Sequence, residues 1–470
     1  MALYFLQTHI CRESIKIIHS HPKVLKNVIH WLSLTSIVVI AALFAITLVD
    51  FTSFHESAYA QEQGQNVTLT VIFNEFNEKG MGKSLVDSAI NKLLTNHPAL
   101  DINVRYLETV YSNARDQMLN AIMNGTSVDV ISLDQIWLGE FAQKNLLNDL
   151  TNYTNNWGRQ DDWYEVSWDG GVYNDTVFGI WAWTDVRGIW YWKDLLNEAN
   201  VNPESLKTWD GYIQSAKQLN SVLRAKGIEG VHLTGASHSP DIWYPYLWML
   251  DGEIVQLKPG HPTKDTYWFP IYNSTEGVRA MQFIKDQVNA GIKSQNEHSF
   301  GKEFVNRTFA VMIEGSWMPS NLPNEEIGNV QFIPMFPVPD KNTKNSTLIG
   351  GWEFAIPKTS SHKDLAWELI ELMLQPEILS PWLAEQGYLP TQITIGEGGG
   401  PYANILRNSI PFYDAMVSMI SDGRSRPSIP EYPAIAEDIR QAMDEVFYDV
   451  KEPKQALDDA AAKSAKALGW

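Results

Sequence analysis

The sequence predicts an α/β protein of two domains. Three observations carry this. The chain has 470 residues, too many for one small domain. Hydrophobic residues make up 44% and charged residues 19%, the balance of a folded globular chain. Runs of β-branched residues alternate with helical spacing at the period of βαβ units, which implies parallel sheet. No linker, repeat or low-complexity tract is present, so the chain is expected to cross between its domains more than once.

The elements follow in order. Val67–Phe73 reads as a strand. Ser84–Leu94 has apolar residues at helical spacing. Ile102–Leu107 is a second strand, Ala114–Met123 a second helix, and Val128–Leu133 a buried strand followed by a helix near Trp137–Gln143. Phe178–Trp183 and Gly188–Trp192 read as two short strands. Trp209–Leu223 is a helix with Thr208 as its N-cap. Gly277–Ala290 is helical, Phe309–Ile313 and Val330–Pro334 are strands, and Leu348–Pro357 is a strand running through Gly350-Gly351. Ser361 and Asp364 have the spacing of a capping box opening a helix to Leu374. Helices from about Pro433 to Phe447 and from Pro453 to Leu468 close the chain.

Residues 1–60 read as a leader. Arg12, Lys16, Lys23 and Lys26 precede an uncharged apolar stretch, Trp31–Val49, and Ala58-Tyr59-Ala60 follows before Gln61. This is the order of a secretory signal cleaved after Ala60. The apolar stretch is also long enough to serve as an uncleaved membrane anchor. Either way the basic flank places the rest outside the membrane. Seven Asn-x-Thr triplets, at Asn66, Asn124, Asn152, Asn174, Asn273, Asn306 and Asn345, fit a glycosylated exterior protein.

The formal charge of −19 makes nucleic acid a poor partner. The single cysteine, Cys11, allows no internal disulfide framework and no thiolate metal cluster. No metal or cofactor motif is present, and no nucleophile elbow, zinc helix or phosphate loop. His232 and His238 read as ordinary polar residues. A carboxylate pair for glycoside hydrolysis would leave no local signature. The aromatic content says more: 17 tryptophans lie beyond residue 60. Trp137, Trp181, Trp183, Trp317 and Trp352 stand beside polar or glycine residues at element ends. Sugars need flat apolar faces for their C–H patches, and carboxylates, amides or Arg for their hydroxyls.

Seven stretches in order resemble the extracellular solute-binding proteins of the maltose/trehalose class. They are Val128–Ile131 with Asp134, Ile136-Trp137 and Glu140–Ala142; Phe178–Trp183 with Asp185 and Tyr191–Leu196; Lys207–Asp210; Met312–Trp317; Gly350–Trp352 with Ile356–Lys358; Gly387–Thr391; and Arg426-Pro427 to Tyr432. The resemblance implies a two-lobed type II periplasmic-binding-protein fold, with parallel-sheet lobes joined by several hinge crossings. Lobe one would be residues 61–185 plus 355–408 and lobe two 186–354 plus 409–470, with hinges near Asp185–Arg187 and Gly350-Gly351. It implies that Asp134 and Asp185 hold sugar hydroxyls, Trp183, Trp317 and Trp352 offer rings, and Gly351 lends its amide. Arg426 would act from the closing lobe, though Arg424 is near enough to be confused with it. Glu75 matches an acidic contact. The pattern departs from the family at Tyr191–Asp194, where Trp192 stands in place of the usual Asn.

The implied function is capture of a di- or oligosaccharide by lobe closure and delivery to an ABC permease, by a monomer, without catalysis or cofactor. The alternatives are a membrane-anchored sensory ectodomain of the same fold, a secreted glycoside hydrolase, or a receptor for another solute such as a glycerol phosphate or a peptide.

Overall fold

The computed structural model describes residues 66–75, 81–232, 240–292, 301–397 and 399–470. Residues 68–96 and 102–470 form one compact unit, and the geometry below belongs to it. The predicted leader and His238 lie outside the described residues. No helix among the described residues is long and apolar enough to cross a membrane.

Among the described residues fourteen strands run in chain order. The first seven are β1 Asn66–Glu75, β2 Asp101–Val110, β3 Val130–Asp134, β4 Val172–Tyr173, β5 Thr176–Val177, β6 Gly179–Trp192 and β7 Glu229–Val231. They are followed by β8 Val255–His261, β9 Lys264–Pro270, β10 Phe309–Gly315, β11 Val330–Ile333, β12 Thr347–Ala355, β13 Leu389–Pro390 and β14 Gly423–Arg424. The main sheet has the order β2-β1-β3-β12-β6-β10-β7. β11 and β13 add to β6, and β14 to β12.

Two long strands join two α/β lobes. The first half of β6 pairs antiparallel with β12 and β13. Its second half pairs antiparallel with β10 and β11. β12 pairs with β3 at one end and with β14 at the other. Parallel pairing holds for β1 with β3 and for β7 with β10. The crossing strands run against these pairs, so each lobe carries a mixed sheet. The sequence suggested two short strands where β6 is one strand of 14 residues. Its middle, Thr184–Arg187, broke the hydrophobic pattern because Thr184, Asp185 and Arg187 are polar although Thr184 and Val186 are fully buried.

Local chemistry fixes the elements around the crossing. β1 is a run of buried residues, Leu69, Val71, Ile72 and Phe73, which suits a strand covered on both faces. Asp129 is fully buried and ties three segments. It accepts from the Thr70 amide at 2.8 Å and from the Ser360 hydroxyl at 2.7 Å. Thr208 caps its helix as expected, accepting from the Gly211 amide at 3.3 Å. The predicted capping box at Ser361 does not form. The helix Lys363–Met373 has no side-chain cap, and the Ser360 hydroxyl accepts from the His362 amide instead. Ser360 is drawn one residue upstream because it also serves buried Asp129.

Candidate ligand site at the strand crossing

β3 ends in Asp134, beside β12. Its pairing partner is Trp352, which lies two residues past Gly350, the partner of Asp185 on β6. Strand register alone therefore collects two carboxylates and a ring at the crossing. The loop after β14 brings in Arg426. A Cβ on Gly350 would lie 2.8 Å from Asp185 Oδ2 and 3.2 Å from Arg426 Nη2, so only glycine lets both groups approach the strand.

The charged groups form a chain. Arg426 Nη2 stands 3.7 Å from Asp134 Oδ1, and Nη1 3.2 Å from Asp241 Oδ2. Arg187 Nη2 stands 3.4 Å from the same Asp241 oxygen, and its Nη1 3.4 Å from Asp185 Oδ1. All five side chains are nearly buried, at 6–14% exposure. The contacts are long for charge-assisted hydrogen bonds, which close to about 2.8 Å. Asp185 Oδ1, Arg187 Nη1 and Arg426 Nε make no hydrogen bond among the described residues.

The rings stand around this chain. Tyr111 donates to Asp134 Oδ2 at 3.2 Å and stacks on Trp137 at 5.8 Å. Trp352 meets both edge-on at 5.8 Å. Trp317, after β10, lies over Gly315, where a Cβ would be 2.2 Å from the ring. The Arg187 guanidinium carbon sits 5.5 Å from the centroid of Trp317. Trp317 is partly exposed, whereas Trp352 is buried.

Burial governs the titration. It pushes Asp134 up to about 6, and the Arg426 guanidinium only partly opposes this. Asp185 is raised by burial too, against Arg187 and Arg426. Burial takes Glu314, at the end of β10, up to about 7, opposed by the Gly315 amide it accepts from and by Arg187. Burial works against the charge of Arg426, but Asp241 and then Asp134 hold its pKa above the usual guanidinium value.

Asp134, Asp185, Arg426, Trp317 and Trp352 thus converge. Arg424 does not join them. It pairs with Glu253 at 2.5 Å over the Trp248 ring. Glu75 ends β1, and its side chain lies outside the described residues. Trp183 stands behind Trp352, stacked at 6.4 Å, and is walled in by Phe73, Trp382 and Tyr388. Gly351 faces away from the charged chain, with the Trp181 ring 2.7 Å from where its Cβ would be.

A bulge explains that last arrangement. Trp352 pairs with Trp183 but Glu353 pairs with Trp181, so Ala182 is an extra residue on β6. Trp181 and Trp183 would share a face at their spacing of two; the bulge sends them to opposite faces. Glu353 is fully buried beside Trp181, and neither carboxyl oxygen has a hydrogen-bond partner among the described residues. Burial raises its pKa well above the ordinary value. Sequence reasoning missed Tyr111, Asp241 and the pairing role of Arg187. Their positions depend on register and on a distant 3₁₀ turn, Pro240–Ile242, that no local pattern marks. His232, directly after β7, donates its amide to the Val311 carbonyl on β10 at 2.9 Å and packs its ring edge-on against Phe309 at 4.4 Å. No group of three or more metal-ligating side chains occurs among the described residues.

Two lobes joined by crossing strands, with rings and loosely paired charges at the crossing, define a solute-binding protein. The chain belongs to the bacterial extracellular solute-binding proteins, whose family model matches residues 84–378. A Brucella abortus (strain 2308) protein named as a binding protein is 25% identical over 360 residues, 74% of this chain and 81% of its own. An ABC transporter solute-binding protein from Thermotoga lettingae TMO, solved with α-D-tagatose, superposes with a TM-score of 0.72 at 22% identity. The match covers 86% of this chain and all of that one. The GacH receptor of Streptomyces glaucescens, solved unliganded and with acarbose, gives 0.70 at 20% identity, over 86% and 98% of the two chains.

Proposed function

We propose that this chain captures a di- or oligosaccharide outside the cytoplasm and presents it to an ABC import permease, without making or breaking a bond. One observation carries the reading. Buried carboxylates and guanidiniums stand 3.2–3.7 Å apart among aromatic rings, and Asp185 Oδ1, Arg187 Nη1 and Arg426 Nε make no hydrogen bond among the described residues. Sugar hydroxyls donate and accept at once, so they can bridge such pairs while ring C–H faces cover the indoles. The tagatose and acarbose complexes of similar folds support the same ligand class.

In this reading lobe one comprises residues 61–185 plus 355–408 and lobe two 186–354 plus 409–470. The hinges are the middles of β6 and β12, near Asp185–Arg187 and Gly350-Gly351. Asp134 and Asp185 accept from hydroxyls, Arg426 donates across the cleft, and Trp317 and Trp352 supply faces, with Trp183 backing Trp352. Closure follows from the ligand's higher affinity for the closed form. The protein works as a monomer, needs no cofactor and does not bind nucleic acid. Residues 1–60 direct it outward, with cleavage after Ala60 or retention of residues 31–49 as an anchor, and the Asn-x-Thr triplets serve as glycan acceptors.

A thermal-shift screen across saccharides, amino acids and phosphate esters tests the ligand class. Stabilisation by one or more saccharides and by neither other class is the expected result. Incubation with those saccharides followed by sugar analysis tests the absence of chemistry. Released monosaccharide would make the protein a hydrolase and overturn the reading.

A further inference from the structure

We propose that Arg187 is the positioning residue of this site: its guanidinium sets the Trp317 ring and aligns Asp185 with Asp241, and so fixes which saccharides are accepted. The inference rests on the carbohydrate reading above.

The main chain of Arg187 is held in place before its side chain begins. Its amide donates to Thr347 Oγ1 at 3.3 Å, and the same hydroxyl donates to its carbonyl at 2.9 Å. Thr347 is fully buried on β12. The residue is thus locked to both crossing strands. Across β6 and β10 its register partner is Gly315. That glycine is the surface on which the Trp317 ring lies, because a Cβ there would meet the ring at 2.2 Å. The guanidinium, 5.5 Å from the ring centroid, holds the ring from its own side. Glycine and arginine, paired in one register, therefore set the pose of one indole.

The same guanidinium spans two acids. Nη1 reaches Asp185, two residues upstream on β6, and Nη2 reaches Asp241 on a separate turn, each at 3.4 Å. A planar fork can address two carboxylates and a ring at once. A lysine ammonium, a point charge on a flexible stem, cannot. Nη1 makes no hydrogen bond among the described residues and has only the longer ionic contact with Asp185. The side chain is 11% exposed, so these contacts operate in a partly desolvated setting where a cation over an indole counts for more.

The test is a double-mutant cycle on the full chain. Arg187→Lys, Trp317→Ala and the double variant are titrated calorimetrically with the saccharide that stabilises the wild type most. Arg187→Lys keeps the charge and is expected to weaken binding about tenfold, within the range for a partly desolvated cation–π contact. In the Trp317→Ala background the same change is expected to cost no more than about twofold, because two groups acting as one unit are not additive. The ratio of affinities for two different saccharides should also shrink in Arg187→Lys. If Arg187→Lys does not fold, Asp241→Asn removes the guanidinium's second anchor and is expected to show the same non-additivity. Additive losses, or an unchanged ratio, would overturn the proposal. A wild type that binds no saccharide would instead overturn the carbohydrate reading, so the two failures are distinguishable.

Discussion

The Arg115–Glu140–Lys144 cluster and the Asp134–Arg426–Asp241–Arg187–Asp185 chain at the crossing both pair cations with buried carboxylates, at different distances. Arg115 grips Glu140 with two nitrogens at 2.7 and 2.8 Å, and Lys144 adds a third contact at 2.6 Å. Burial would raise the pKa of Glu140, but Arg115 and Lys144 outweigh it and hold the carboxyl below its ordinary value. At the crossing the four ion pairs among the described residues span 3.2–3.7 Å, and burial wins: Asp134 rises to about 6. A tight cluster has spent its hydrogen bonds on the fold. A loose and buried one keeps donors and acceptors in reserve, and the fold bears the cost of desolvating them.

Four substitutions break or sharpen this contrast. The largest effect is expected from Arg426→Met, which leaves Asp134 and Asp241 buried without their shared cation. Denaturant unfolding at pH 7 should show a loss of about 3–5 kcal/mol, the usual cost of breaking a buried pair by removing one partner. Asp185→Asn comes next. Saccharide affinity should fall roughly tenfold to a hundredfold, the worth of hydrogen bonds to a charged group. Its melting temperature at pH 8 should hold or rise, because a carboxylate raised by burial is a stability liability.

The third effect is a pH slope. Folded Asp134 and Glu314 titrate near 6 and near 7, above their unfolded values near 4. The folded state then binds more protons than the unfolded state across that window. Their contribution is fully present below about pH 4 and is lost as pH rises through 6 and 7. Glu353 acts in the same direction. Urea midpoints should therefore fall from pH 4.5 to pH 8 for these groups, and Glu353→Gln should flatten the fall. A steeper slope in that variant would contradict the assignment. The smallest effect belongs to Arg115→Ala. Saccharide affinity should not change and stability should drop by about 1 kcal/mol or less, as for other partly exposed pairs.

Most of the elements could be read from the sequence because they rest on local signals. The Thr208 cap, the β1 run and the final two helices are of this kind. The crossing was harder. Thr184–Arg187 looked like a break because Thr184, Asp185 and Arg187 are polar inside a continuous strand. The two-residue spacing of Trp181 and Trp183 suggested a shared face, and only the extra Ala182 separates them. The hairpin of β8 and β9 carries Pro259, Gly260 and Pro270, which weaken a strand pattern, and no element is read there from the sequence. For the site, Asp134, Asp185, Arg426, Trp317 and Trp352 stood near glycines or strand ends. Asp241 and Tyr111 carried no such mark. Their neighbours are set by contacts 185 and 23 residues away in the chain, Asp241 with Arg426 and Tyr111 with Asp134.

Calorimetric titration of the full chain and its Asp134→Asn variant with malto- and arabino-oligosaccharides tests the central claim most directly. The wild type should bind at least one of them in a single saturable step, and the variant should bind it at least about tenfold more weakly, since a charged hydrogen bond is lost. No saccharide heat from a folded wild type, or equal affinity in the variant, would contradict the account.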